Sequence, residues 1–332
     1  MGKAIYAGYL IKYILNTSKI HPEYLFAYCQ TNEYWKWIKK HERPAVQSNI
    51  NAEEYSSLQF PLPPIDIQKQ IANIMQDAYL KKEKLEKEAS ELLNSINDYV
   101  LNELDIKVDD SSKKEKCFTV KYSEIKNKRI DVNFYNRTIK LINKNNMVSL
   151  NKIVDIFQGV SRNLSEYSDA KLLKVKNITL DGKINLKDTE YIKNYNDNKI
   201  LQTDDIITPA IGEAVKLFKF SIFNIKDNYK YLVDNNTAVI RVKNSREILP
   251  KYLLEILRNN ITKSQILKLI SGGGVPFIGK YLSDIEIPIP PIEIQNKIAD
   301  EATNRRENAF KLQEEAKKII EEAKKEVESI LF

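Results

Sequence analysis

Histidine and cysteine are scarce in this 332-residue chain: there are two of each, besides three methionines and two tryptophans. Cys29 and Cys117 have no paired spacing of the kind that holds a metal, and they read as ordinary reduced thiols. His21 and His41 both lie near the N-terminus, which excludes imidazole chemistry from the rest of the chain. Long apolar runs are also missing, since Lys, Asn or Asp interrupts each one. A signal peptide and a membrane span are therefore not expected, and the protein reads as cytoplasmic. There is no Asn- or Asp-Pro-Pro-aromatic word with a glycine-rich cofactor loop, as a methyltransferase would need. The glycine run Gly272-Gly273-Gly274 is not continued by Gly-Lys-Ser/Thr, so a nucleoside-triphosphate loop is excluded. Asp204, Asp205, Glu213 and Lys216 resemble a nuclease metal set, but Glu213 and Lys216 stand three apart rather than two. No catalytic residue, metal or cofactor is expected.

What the chain does contain is a repeat. Pro61-Leu62-Pro63-Pro64-Ile65-Asp66-Ile67-Gln68 returns 227 residues later as Pro288-Ile289-Pro290-Pro291-Ile292-Glu293-Ile294-Gln295. Upstream, Pro22-Glu23-Tyr24-Leu25 answers Pro250-Lys251-Tyr252-Leu253 at a spacing of 228. A repeat of this length marks a duplicated structural unit. The first copy is short, because residues 1–60 hold only the tail of a unit whose full version runs from about 118 to 290.

Both copies of the word open a helical pattern. Ile71, Met75, Ala78, Leu85, Ala89, Leu92, Ile96 and Tyr99 form a seam of alternating three- and four-residue steps, interrupted by Lys82. The second seam is Ile298, Ala302, Ala309, Leu312, Ala316, Ile319, Ala323 and Ile330, interrupted by Arg305 and Glu326. Both predict coiled-coil helices of about 38 residues, roughly 57 Å long. One narrow apolar stripe does not stabilise so long a helix alone, and each copy is the natural partner of the other. Periodicity leaves parallel and antiparallel pairing open, and it also leaves open a helical hairpin packed on one compact body.

Charge is unevenly placed. Residues 118–290 carry 28 Lys and Arg against 18 Asp and Glu, a net of +10 within a chain total of +7. That balance suits a surface facing phosphates, or else a solvated lysine-rich exterior. The same region changes to short β-type runs at 153–157, 172–175, 205–207, 218–223 and 237–242, separated by turn signals. Helical stretches follow at 250–258 and 262–269. The fold class predicted is α+β, with a mostly antiparallel sheet or partial barrel joined to two long helices. Candidate DNA-binding residues are Arg162 after the 158–161 loop, Lys174, Lys176 and Asn177 at a strand end, Lys216 and Lys219 between turns, and the glycines Gly272, Gly273 and Gly274. Arg and Asn suit base edges and Lys suits phosphate, while three glycines permit close backbone approach. For each residue the alternative is an ordinary surface role.

The word at 288–298 and its partner at 61–71 resemble the junction found in DNA specificity subunits of type I restriction-modification systems. Val154-Asp155-Ile156-Phe157-Gln158-Gly159, Asp204-Asp205-Ile206-Ile207 and Asn236-Thr237-Ala238-Val239 extend that likeness. The resemblance implies target recognition domains alternating with conserved helices that pair antiparallel as a spacer. Each domain reads half of a split sequence in double-stranded DNA. Methyltransferase and restriction subunits are the implied partners, together with another specificity subunit. On this plan residues 1–60 are the remnant of a first target recognition domain, including the 43–50 loop. Residues 61–106 are the central helix, 107–117 a linker, 118–290 the complete domain and 291–332 the C-terminal helix.

Overall fold

The computed structural model describes residues 7–8, 10–42, 50–109, 117–126, 130, 134–135, 140–142, 147–270 and 274–332. The chain divides into two compact units, Met1–Leu93 with Arg306–Phe332, and Asn94–Arg305. The first contains α1 (Pro22–Tyr28), α2 (Asn32–His41), α3 (Ala52–Ser56), most of α4 (Ile65–Glu103), and the later part of α9 (Ile292–Leu331). Local chemistry starts each short helix. Pro22 occupies the first turn of α1, where its missing N–H costs nothing. Thr31 Oγ1 accepts from Tyr34 N–H at 3.3 Å to cap α2. Asn51 and Glu54 form a capping box on α3, each side chain accepting from the other's backbone N–H at 2.8 and 2.9 Å.

The repeated glutamine explains why the two copies fold alike. Gln68 is 1% exposed and Gln295 is fully buried. Gln68 Oε1 accepts from His21 N–H at 2.8 Å, and its Nε2 donates to the Lys19 and Pro63 carbonyls at 3.0 and 2.8 Å. Gln295 repeats this set with Leu249 N–H, Glu247 O and Pro290 O, all at 2.9 Å. One buried amide thus joins the entry of a short helix to the proline turn that launches a long one. A tyrosine reinforces each joint, Tyr24 Oη donating to Pro61 O at 2.5 Å and Tyr252 Oη to Pro288 O at 2.8 Å. Burial pushes the Tyr24 phenol up to about 12 and raises that of Tyr252 as well.

The long helices pair antiparallel. In the second unit Ser95, Tyr99 and Glu103 meet α9 in falling order: Arg305 Nη1 donates to Ser95 O at 3.1 Å, its guanidinium lies 4.6 Å from the Tyr99 ring, and Lys297 Nζ reaches Glu103 at 2.8 Å. In the first unit Ile71, Met75 and Ala78 share a core with Ala323 and Val327. Ala89, Ala302, Ala309 and Ala316 are at most 1% exposed, as expected where backbones approach closely. Arg305, which interrupts the seam, is accommodated because its guanidinium finds Ser95, Glu301 and the Tyr99 face.

The second unit carries the sheets. In chain order its elements are β1 (Lys107–Asp109), α5 (Tyr122–Ile125), β2 (Lys140–Ile142), β3 (Met147–Ser149), α6 (Leu150–Ile153), β4 (Val154–Gln158), β5 (Leu164–Ser165), β6 (Ala170–Leu173), β7 (Glu190–Ile192), β8 (Ile206–Pro209), β9 (Ser221–Ile222), β10 (Lys230–Val233), β11 (Thr237–Val242), α7 (Pro250–Arg258), α8 (Asn260–Leu269) and β12 (Glu286–Pro288). One four-stranded sheet runs β4-β11-β8-β9 and a second β10-β6-β7-β5, while β12 pairs with β3 and β1 with β2. All pairs are antiparallel except β10 with β6. Among the described residues the sheets do not close into a barrel. Side-chain alternation assigns the core: Ile206, Ala238 and Ile240 pack with α7 and α8, whereas Ile207 and Val239 pack with Leu173, Tyr231 and Val233 of the second sheet. The run expected at 218–223 shortens to Ser221–Ile222, because Phe218 takes a left-handed backbone with φ 51° and ends the 3-10 turn Glu213–Leu217.

The copies differ where a neighbour differs. Pro288 ends a strand paired with β3, but residues 59–61 form none, since the first unit has no counterpart of β3 among its described residues. The clip itself is directly testable. Gln295→Glu keeps shape and the Leu249 acceptor but turns a carboxylate oxygen toward the Glu247 and Pro290 carbonyls; Gln295→Ala leaves all three backbone groups unpaired. Each is expected to cost about 3 kcal/mol. Urea unfolding checks the loss, and hydrogen exchange at the Leu249 amide checks its location, quickening most in Gln295→Ala, which alone removes that acceptor.

Candidate nucleic-acid interface

The second unit brings three of the sequence candidates together at β7. Glu190 accepts a hydrogen bond from the Lys174 ammonium through Oε1, and Arg162 Nη2 stands 3.6 Å from Oε2. Two residues earlier, Asp188 lies 3.5 Å from Lys176. Pairing of β6 with β7, Leu172 opposite Glu190, sets these acids beside the strand end that carries the lysines. The Lys174 ammonium is chiefly what holds the Glu190 carboxyl below the usual carboxylate range. Asp234, in the turn before β11, is shifted upward by burial, although its Thr237 and Asn236 hydrogen bonds and the Arg162 and Lys174 charges oppose the shift.

Exposure separates the candidates. Arg162 is half exposed at its side chain and Lys176 similar, but Lys174 is only 11% exposed. Asn177 is 1% exposed, and its amide works inside the fold: Oδ1 accepts from Lys174 N–H at 2.8 Å, while Nδ2 donates to the Asn185 and Lys187 carbonyls at 2.7 and 3.1 Å. Its polar atoms secure the 174–187 segment. Lys216 is exposed and binds Glu213 at 2.8 Å, and Lys219 is half-buried. Gly274 is exposed, with open space where a Cβ would sit. Gly272 and Gly273, and most of the 43–50 loop, lie outside the described residues.

The nuclease-like set does not assemble. Asp205 is 1% exposed and receives Arg241 Nε and Nη2 at 2.8 and 2.6 Å, with Gln202 N–H at 2.7 Å. Its carboxylate ties β8 to β11, and Glu213 pairs with Lys216 instead. Among the described residues no group of three or more potential ligands is placed to hold a metal.

Sequence reasoning missed Glu190 and Asp188, which gather the cations. It also missed an aromatic cluster in which the Lys171 ammonium lies 3.5 Å from the Tyr229 ring centre and 5.6 Å from that of Tyr191, with the Tyr167 ring tilted at 43° to Tyr191. These residues are far apart in sequence, so no local spacing announces them.

The arrangement is that of a sheet-built, basic module joined by a repeated clip to paired spacer helices. The family described as Type I restriction modification DNA specificity domain matches residues 1–95. A specificity subunit of the type I restriction enzyme MjaVIII from Methanocaldococcus jannaschii is 25% identical over 309 residues, covering 90% of this chain. The present chain spans 66% of that relative's length. A chain solved in work on complex assembly and conformational transition of the type I R-M system matches with TM-score 0.53 and 15% identity, over 95% of this chain and 71% of that one. The HsdS subunit from Thermoanaerobacter tengcongensis matches with TM-score 0.42 and 12% identity, over 95% and 71% of the two chains. Residues 1–95 are thus similar to the type I specificity domain, and most of the chain is similar in sequence to a type I specificity subunit.

The Asp205 pair gives a stability test. Asp205→Ala strands the Arg241 guanidinium among β-strands and is expected to cost about 3 kcal/mol, whereas Glu213→Ala, which frees an exposed lysine, should change stability by less than about 0.5 kcal/mol. Thermal unfolding of the two variants checks the contrast.

Proposed function

We propose that this chain is a non-catalytic DNA-sequence specificity subunit of a type I restriction-modification complex, acting in the cytoplasm. Residues 118–290 bind double-stranded DNA, and the paired helices α4 and α9 hold methyltransferase subunits, with the restriction subunit joining the same complex. The doubled clip carries this reading: two identical joints each launch one of two antiparallel helices, and the sheet-built body with a net charge of +10 belongs to the second copy. The sequence match to a named specificity subunit over most of the chain supports it.

A second reading, an interaction protein that pairs with other specificity or methyltransferase subunits without reading DNA, draws on the first unit. There Ile14 is 88% exposed and Trp35 52% exposed, and α2 buries none of its residues.

The readings part on DNA binding. The chain assembled with its methyltransferase subunits is expected to bind duplex DNA with log K falling linearly in log salt, about 0.9 per phosphate neutralised. Lys216→Ala and Lys219→Ala should each lower that slope by up to about 0.9 if they meet phosphates. Fluorescence anisotropy across a salt series measures both. Complex formation without DNA binding at low salt would favour the second reading.

A further inference from the structure

We infer that Arg162 reads a guanine in the DNA major groove and that Glu190 is its positioning residue. This rests on the DNA-reading function proposed above. Arg162 differs in what surrounds it from Arg241, Arg258 and Arg305 of its unit, and shares with the exposed Arg246 the lack of a side-chain hydrogen bond to a described residue. Arg241 is held by Asp205 and the Ile200 carbonyl, Arg305 by Glu301 and Ser95, and Arg258 by the Leu180 carbonyl. Arg162 makes no hydrogen bond to any described residue, although its Nη2 lies 3.6 Å from Glu190 Oε2. That separation is too long for a hydrogen bond and short enough for strong attraction. Glu190 Oε2 is itself buried without a hydrogen-bond partner, while Lys174 occupies Oε1. The guanidinium is therefore aimed by charge, with its N–H fork left unused.

Its backbone is fixed on both sides. Gly159 N–H donates to Thr237 O at 3.1 Å and Val160 N–H to Val233 O at 2.9 Å. A Cβ on Gly159 would come within 2.0 Å of the Val233 carbonyl, so this crossing needs glycine. Beyond Arg162, Leu164 pairs with Ile192, and Lys193 N–H donates to Asn163 O at 2.9 Å. The short span between these anchors presents a half-exposed, unspent fork from a rigid base.

The surrounding charge selects the ligand. A phosphate on Arg162 would approach the Glu190 carboxylate, with Asp188 two residues away on the same strand approach, and would be repelled. A guanine edge carries no net charge, and its O6 and N7 accept two parallel N–H bonds from an arginine. An acid beside an otherwise free arginine thus favours a base over the backbone.

The test uses the full chain with its methyltransferase subunits. Selection from a randomised duplex pool defines the wild-type motif, and competition binding follows for Arg162→Ala, Arg162→Lys, Glu190→Gln and the double variant. Arg162→Ala should lose about 10- to 100-fold of the preference for guanine at one position, with the salt slope unchanged. Arg162→Lys should recover only part of that preference. Glu190→Gln, which keeps an acceptor for Lys174, should lose a smaller factor at the same position, and adding it to Arg162→Ala should change nothing further. 7-Deazaguanine at that position should weaken the wild type and leave Arg162→Ala unaffected. Uniform weakening with a reduced salt slope would overturn the inference in favour of a phosphate contact, and an unchanged motif in Arg162→Ala would overturn it outright. A wild-type complex that selects no motif overturns the DNA-reading function itself, and this inference with it.

Discussion

Everything else in the molecule hangs from one buried side-chain amide used twice. Gln68 and Gln295 each saturate a backbone N–H and two carbonyls in a place water does not reach. Those groups lie at the entry of a short helix and in a proline turn, where secondary structure supplies no partners of its own. Without the amide, three main-chain groups would be buried unpaired at the point where the chain must change direction. With it, the entries of α1 and α7 are locked to the starts of α4 and α9. The helices then need only a narrow seam, and small residues such as Ala302, Ala309 and Ala316 let that seam close.

Charge in the second unit acts by position more than by amount. A net of +10 over residues 118–290 suggests a uniformly attractive surface, yet several cations are held by acids: Lys174 by Glu190, Lys176 by Asp188, Lys216 by Glu213 and Lys230 by Asp169. The exposed pairs among them, those of Lys176, Lys216 and Lys230, add little stability. What they do is fix where a positive group points. The Arg241–Asp205 pair belongs to a different regime, because its carboxylate is buried and doubly bonded, and there the geometry joins two strands.

The sequence disclosed the parts whose signals are local. The proline turns and the heptad steps mark α4 and α9, and apolar runs flanked by turn residues mark β4, β11 and α7. The strands β5, β7 and β10 escaped because they are two to four residues long and interleaved with polar residues, so their identity comes from pairing across the chain. The same cause hid the candidate site. Arg162 and the 174–177 stretch were visible as cations and amides near a strand end, but the acids that sort them lie at the start of β7 and two residues before it, brought there by the Leu172–Glu190 register. Asn177 looked outward for want of any sign that the backbone at 185 and 187 would return to take up its amide.

The clip has a further property, which lies in what it ignores. Across the joint the glutamine recognises main-chain atoms alone: an N–H at His21 or Leu249, and carbonyls at Lys19 or Glu247 and at Pro63 or Pro290. His and Leu, or Lys and Glu, serve equally well at matching places because their side chains are not consulted. A body that kept the tyrosine of this joint and the same backbone path into its short helix would be gripped just as firmly, whatever its other side chains. The joint therefore works as a standard coupling, and the surface that confronts a ligand can be rewritten without redesigning how it is mounted.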